Sequence, residues 1–305
     1  RAVYADGHAL MYGNTAQPDF RGLEGYEDHD VGTLFFWNDS GQMIAMAVNV
    51  SCPSQEVENG ANINADFWHP VREALHKQYG NDVCILGWTG AAGDESPHVI
   101  YRKSAEERMR QLRKMTRLEE ITRRIVNAVN EAHDAVKDDR HANAPLMHKI
   151  ETLQLPRRLV TEQEYLAART ARDGFIASME KNPAAGPRGA YSHMKWHGDV
   201  VRRFEEQKAN PNPTYEMELH VLRIGDAVVC TNPFELFTDY GIRIKARSPA
   251  VQTFIIQLVG ADDGGYLPTE KAIRGGHYSA VIESGVVGPE GGQILVDETV
   301  RKINE

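Results

Sequence analysis

An apolar run, Val83-Cys84-Ile85-Leu86-Gly87-Trp88, empties into a turn of small and polar residues, Gly90-Ala91-Ala92-Gly93-Asp94-Glu95-Ser96-Pro97-His98. A helix-period segment starts soon after, near Ser104. The run is short, rich in strand formers and bounded by turn residues, so it reads as a buried strand. A small-residue turn at the carboxyl end of a buried strand is where open α/β sheets commonly build sites, because loop atoms converge there without a covering layer of side chains. Pro97 stiffens the exit from the turn. Taken alone, the segment fits an ordinary strand-to-helix loop equally well.

The rest of the chain repeats this alternation. Residues through Asp30 are polar and Gly-rich and read as loop. Thr33 to Trp37 and Met43 to Val50 flank Asp39-Ser40-Gly41 as a hairpin. Asp66 to Tyr79 reads as a helix stopped at Gly80-Asn81. One long amphipathic helix is expected from Ser104 to Val136, with Met109, Leu112, Met115, Leu118, Ile121, Ile125 and Val129 stepping by three or four. Met147 to Leu155 alternates as a strand, and Thr161-Glu162-Gln163-Glu164 has the form of a capping box. Lys181 to Ala190 is linker-like but joins two helices, so it marks no domain boundary. Tyr215 to Ile224 and Ala227 to Thr231 form a second hairpin. A helix from Phe234 to Arg247, a strand from Gln252 to Val259, a Gly/Asp-rich loop from Gly260 to Gly265 and a last helix from Pro289 to Ile303 complete the pattern. Strands interleaved with helices give an α/β fold, and the two hairpins make the sheet mixed. The expected architecture is a single large domain over residues 1–305, with helices packed on the faces of a mixed β-sheet core.

The 305 residues are 41% hydrophobic and 25% charged, an ordinary globular composition with enough chain for a large core. No run approaches the roughly 18 apolar residues of a membrane span. A net charge of −9 argues against nucleic acid as a partner. Arg102 to Arg124 is the local exception, with nine Lys/Arg against four Asp/Glu, and reads as a solvated helix face. The three cysteines are too few and scattered for a disulfide framework. Cys84 and Cys230 read as small core residues, whereas Cys52 lies where a strand breaks into a Pro/Ser turn.

Four expected strand ends carry unusual polar groups: Cys52, Ser96, Glu235 and Tyr266. Glu235, between large apolar residues in Asn232-Pro233-Phe234-Glu235-Leu236-Phe237, fits either a functional carboxylate or a first-turn helix cap. Tyr266 follows two glycines, and Tyr278 lies in Gly275-Gly276-His277-Tyr278. His193 and His197 have i, i+4 spacing on one helix face but lack the glutamate of a His-Glu-x-x-His metal motif.

In this order the pieces resemble the neutral/alkaline ceramidase family of zinc amidases. In that family a Gly-Asp-x-Ser-Pro segment carries the active-site serine, matched by Gly93 to Pro97. The resemblance makes Ser96, Asp94 and Tyr278 catalytic residues, and Glu235 and Tyr266 zinc ligands. The second tyrosine stands twelve positions after the first, as Tyr278 does after Tyr266. It implies zinc as cofactor, hydrolysis of a small-molecule or lipid N-acyl substrate, peripheral membrane contact and an extracytoplasmic location. Zinc would lower the pKa of bound water and polarise the carbonyl, Tyr278 would stabilise the oxyanion, and Ser96 would hydrogen-bond substrate or water.

Where the family has a His-Pro turn, this chain has Ser51-Cys52-Pro53, so Cys52 or His69 in Phe67-Trp68-His69-Pro70 is the candidate for that ligand. The family's His-x-His-Ser-like motif and its C-terminal immunoglobulin-like domain have no counterpart here, which implies a catalytic domain without its N-terminal portion. Two other readings remain open: a non-catalytic binding or scaffold protein of the same fold, and a metal-independent serine hydrolase using Ser96 with His98 nearby, although Ser96 lacks a Gly-x-Ser-x-Gly elbow.

Overall fold

Each of the two hairpins seeds a mixed sheet. The computed structural model describes residues 1–58, 62–181, 188–260 and 264–305. In chain order, β1 (Ala2–Tyr4), β2 (Ala9–Leu10) and β3 (Phe20–Leu23) precede the first hairpin, β4 (Val31–Trp37) and β5 (Met43–Val50). Then come α1 (Trp68–Tyr79), β6 (Cys84–Thr89), α2 (Lys103–Arg113), α3 (Arg117–Val136) and β7 (Leu146–Pro156). The helices α4 (Glu162–Lys181) and α5 (Arg188–Ala209) lead to β8 (Thr214–Ile224), β9 (Ala227–Thr231), β10 (Glu235–Leu236) and α6 (Thr238–Arg247). The chain continues through β11 (Gln252–Ile256), β12 (Tyr266–Leu267), α7 (Glu270–Gly275) and α8 (Pro289–Asn304).

The first mixed sheet has the order β4-β5-β6, antiparallel then parallel; the second has the order β11-β9-β8-β7, parallel only between β9 and β11. Helices α1 and α3 cover the first sheet over Phe35, Met46, Val48, Phe67, Leu75 and Val129. Helices α6 and α8 cover the second over Leu155, Leu219, Phe234, Tyr240, Leu295 and Val296. The two sheets meet where Phe254 and Val229 pack against Leu34 and Trp88. Asn49, buried at this seam, donates from its side chain to the Trp88 carbonyl (3.2 Å) and the Ile255 carbonyl (3.0 Å). The Gln257 N–H donates to the Thr89 carbonyl (3.1 Å), so the ends of β6 and β11 are held together.

Four expectations need correction. The segment through Asp30 holds the small antiparallel sheet β2-β1-β3, whose strands are too short for alternation to reveal. Strand β6 is an edge strand with one solvated face, which leaves Cys84 and Leu86 exposed rather than in the core. The long helix is broken in two: Lys114 takes a left-handed conformation, and Thr116 starts α3 with a complete capping box to Glu119. Glu235 lies on a short strand, before α6 rather than in its first turn. Thr161 and Glu164 form their expected reciprocal cap, and Cys230 is buried. Residues 182–187 of the linker-like stretch and 261–263 of the Gly/Asp-rich loop lie outside the described residues.

Candidate active site

The turn after β6 is docked on β10 by a backbone hydrogen bond and a backbone approach too close for a side chain. The Gly93 N–H donates to the Leu236 carbonyl (2.8 Å), and a Cβ on Gly93 would collide with the Glu235 carbonyl. Gln257, buried behind the turn, accepts through Oε1 from both the Ala92 N–H and the Leu236 N–H (3.1 Å each). Asp94 then reaches the start of α6. Its Oδ1 accepts from the Thr238 N–H (2.7 Å) and the Thr238 hydroxyl (2.9 Å), so a carboxylate from another loop caps that helix.

Strand β10 in turn pairs in parallel with β12, with Glu235 opposite Tyr266. Gly265, at φ +64°, makes this possible: it takes a left-handed turn with Ser284 packed against it, where a Cβ has no space. The Tyr266 hydroxyl lies within electrostatic reach of Glu235 and of Tyr278, and Tyr278 within reach of Tyr12. The Tyr266 and Tyr278 rings meet edge to face at 5.9 Å. The row Glu235–Tyr266–Tyr278–Tyr12 ends at Gln55, whose side-chain amide donates to the Tyr12 hydroxyl (2.7 Å). Burial pushes the Tyr266 phenol well above its ordinary value, and the neighbouring Glu235 carboxylate adds to it. Burial also raises Tyr278, to about 12, so both phenols stay protonated donors at neutral pH.

Tyr12 leads into a cavity of about 290 Å³ whose wall includes Cys52, Asp94, Glu95, Ser96 and His98. Burial raises the Asp94 carboxyl above the usual carboxylate range. Glu95 is pushed to about 8 by burial, then by the charges of Asp94 and Glu27. Sequence reasoning missed Glu95, Tyr12 and Gln257. The available signal for Glu95 was its place between Asp94 and Ser96 in a turn of small residues. Cys52 is half-buried, and burial, with Glu95, Asp66 and Glu56 nearby, pushes its thiol to about 12. Ser96 Oγ accepts from the His98 N–H (3.1 Å). The His98 ring faces elsewhere: Nε2 lies 3.1 Å from Glu58 Oε1 and Nδ1 3.7 Å from Glu56 Oε2. The ring is therefore not placed as a base on Ser96.

The expected site residues thus fall into three places. Glu235, Tyr266 and Tyr278 are brought together; Cys52, Asp94 and Ser96 line the adjoining cavity; His69 belongs to neither. His69 is exposed on α1 and borders a separate concavity with Glu73 and Lys77, because the helix turns that face away from the β4–β6 sheet. The His193–His197 pair does share a helix face, but both rings lie against Phe175 and His197 Nδ1 meets Glu283 Oε1 at 3.1 Å, a packing arrangement. Among the described residues, no group of three or more His, Cys, Asp or Glu side chains is placed to hold a metal ion. Glu235 and Tyr266 fit zinc as an adjacent pair of oxygen donors, the part of such a site that they would supply. The third protein ligand that catalytic zinc takes is not assembled from the described residues.

The fold and this wall of phenols and buried carboxylates define an α/β chain with its polar centre at converging loop ends. The fold is that of solved ceramidase structures. A neutral ceramidase from Pseudomonas aeruginosa superposes with a TM-score of 0.56 at 13% identity over 89% of this chain and 46% of that one. A ceramidase complexed with C2 gives a TM-score of 0.59 at 13% identity, over 98% of this chain and 50% of that one. The chain spans about half the length of each. No protein-family model matches it, and no curated protein matches it in sequence.

Proposed function

We propose that this chain is a ceramidase-like hydrolase that cleaves an N-acyl amide bond, with Glu235 and Tyr266 as zinc ligands. The row Glu235–Tyr266–Tyr278, set by the pairing of β10 with β12 and the edge-to-face contact of the two phenols beside the Asp94–Ser96 turn, in a ceramidase fold, carries the reading. Zinc, when bound, would supply a water of lowered pKa and polarise the acyl carbonyl. Tyr278, held protonated by burial, donates to the oxygen on which negative charge develops. Ser96 hydrogen-bonds substrate or water. The neighbouring His98 ring faces Glu56 and Glu58 and is not positioned to activate it, which favours water as nucleophile. Glu95 retains its proton near neutral pH and is the cavity's donor to the leaving amine. Asp94 positions the turn by capping α6.

The incomplete ligand set favours a second reading, a non-catalytic protein of the same fold. One experiment decides between them. The chain is titrated with zinc and offered N-acyl amines, including N-acylsphingosines of graded acyl length; metal content and free amine are measured. The proposal expects zinc-dependent amine release, and Glu235→Ala should lose metal and turnover together. Absence of both metal binding and amine release would assign the fold to binding. Turnover with an acyl adduct on Ser96 would replace water with serine as nucleophile.

A further inference from the structure

Strand β7 is the free edge of the second sheet, and its outer face carries an unusual pair. Strands β7 and β8 run antiparallel from Leu146 opposite Ile224 to Pro156 opposite Thr214, so the even-numbered residues of both share one face. The odd-numbered Leu153, Leu155, Met217 and Leu219 are buried in the core. The even-numbered face opens to solvent near the edge, with Leu146 72% and Ile150 56% exposed. His148 and His220 stand on that face at diagonal positions, His148 opposite Leu222 and His220 opposite Ile150. Their rings stack at 5.2 Å with 22° between the planes, and His148 Nε2 faces His220 Nδ1 across 3.0 Å. With one proton between them, the two nitrogens make a hydrogen bond; with a proton on each, they repel.

The same spacing suits two ligands of one cation. Imidazole nitrogens bind divalent transition metals at about 2.0–2.1 Å, so cis ligands of a square-planar or octahedral ion stand about 2.9 Å apart, and ligands of a tetrahedral ion about 3.3–3.4 Å apart. At 3.0 Å the pair fits the cis edge. Glu218 supports it from behind, with Oε2 3.6 Å from His220 Nε2. A carboxylate there favours the tautomer that carries its proton on Nε2, which leaves the Nδ1 lone pair turned toward His148. Glu216 and Glu218 share this face, whereas Lys149 and Arg223 stand on the opposite one, so the local field favours a cation. The pair does not line the cavity beside Ser96 and is a separate feature of the surface.

We infer that His148 and His220 form a surface site for a divalent transition-metal ion of square-planar or octahedral preference, with water in its remaining positions. The bound ion pins the edge strand β7 to β8. The site stands on its own geometry and is independent of the proposed chemistry. The test is calorimetric titration of the chain with Ni²⁺ and with Zn²⁺. At this site about one equivalent of Ni²⁺ is expected, bound more tightly than Zn²⁺. His148→Gln and His220→Gln should each weaken that equivalent by about a hundredfold or more, and Glu218→Gln by no more than about tenfold. Saturating Ni²⁺ should raise the melting temperature of the parent and not of either histidine variant. Circular dichroism of each variant checks that the fold is kept. Glu235→Ala should leave this equivalent in place, which separates it from the proposed zinc ligands whether or not those hold. Ni²⁺ binding untouched by both histidine substitutions, or lost in Glu235→Ala, overturns the proposal. Absence of Ni²⁺ binding overturns it too and leaves the pair a hydrogen bond. Tighter binding of Zn²⁺ than of Ni²⁺ in the Glu235→Ala chain would overturn the geometric assignment.

Discussion

Two carboxylates near the same cavity, Glu120 buried and Glu95 half-buried, are shifted in opposite directions. Glu95, on the turn after β6, is pushed up to about 8; Glu120, on α3, is pulled down to about 2. Glu120 shares its carboxylate among Arg113, Arg123 and Arg124, at 2.9–3.1 Å. Glu95 has Asp94 and Glu27 for neighbours and only a long contact from the Thr238 hydroxyl (3.4 Å). Burial raises both; the partner set decides the outcome. The α2–α3 side is a clamp that spends its charges on structure, whereas the Asp94–Ser96 side holds charge-starved carboxyls and protonated phenols suited to proton transfer.

The comparison breaks most visibly at Tyr278. Tyr278→Phe keeps the ring against Tyr266 and removes one donor, so amide turnover should fall by about 10²–10³ in kcat with little change in stability. Glu120→Ala should do the reverse. Urea unfolding should show a loss of about 2–4 kcal/mol, because three guanidinium groups lose their common partner, with turnover nearly unchanged. Equal effects of the two substitutions on turnover would erase the distinction between clamp and reactive wall.

pH sharpens the contrast. The folded-state value for Glu120 is depressed from 4.5 to about 2, so its stabilisation is complete above 4.5 and is lost as pH falls through 2. For Glu95 the folded value is raised from 4.5 to about 8, so its contribution is complete below 4.5 and fades as pH rises through 8. Glu95→Gln should therefore flatten the decline in melting temperature between pH 5 and 8 seen in the parent. It should also remove the alkaline limb of the turnover profile. An unchanged melting curve would mean that Glu95 is ionised and solvated. The smallest effect is expected at His69, which is exposed on α1 and does not line the cavity: His69→Ala should leave zinc binding and turnover intact and shift stability by no more than about 0.5 kcal/mol.

Much of the fold was legible residue by residue. Asp39-Ser40-Gly41 and Gly225-Asp226 announced hairpins that form, and Thr161 to Glu164 announced a helix start that forms. The break at Lys114–Thr116 was also written locally, in Thr116 and Glu119, but the unbroken three-to-four periodicity across it concealed the signal. At the site, Glu235, Tyr266 and Tyr278 were named through the resemblance to the ceramidase family, and the fold brings the three together. Tyr12 and Gln55, which extend the same row of polar side chains, could not, because nothing near them in sequence distinguishes them from loop residues.

The sequence by itself determined the alternation of strands and helices, the turns that separate them and the small-residue turn around Gly93. These follow from backbone preference and from contacts within a few residues. Only the tertiary structure decided that Glu235 stands opposite Tyr266, that Asp94 caps a helix 144 residues away, and that Glu106 of α2 meets Arg124 of α3. The same holds for titration. Glu95 and Glu120 are the same side chain, and their opposite behaviour comes from which distant residues the fold brings to each, an interaction that depends on distance through space and not along the chain.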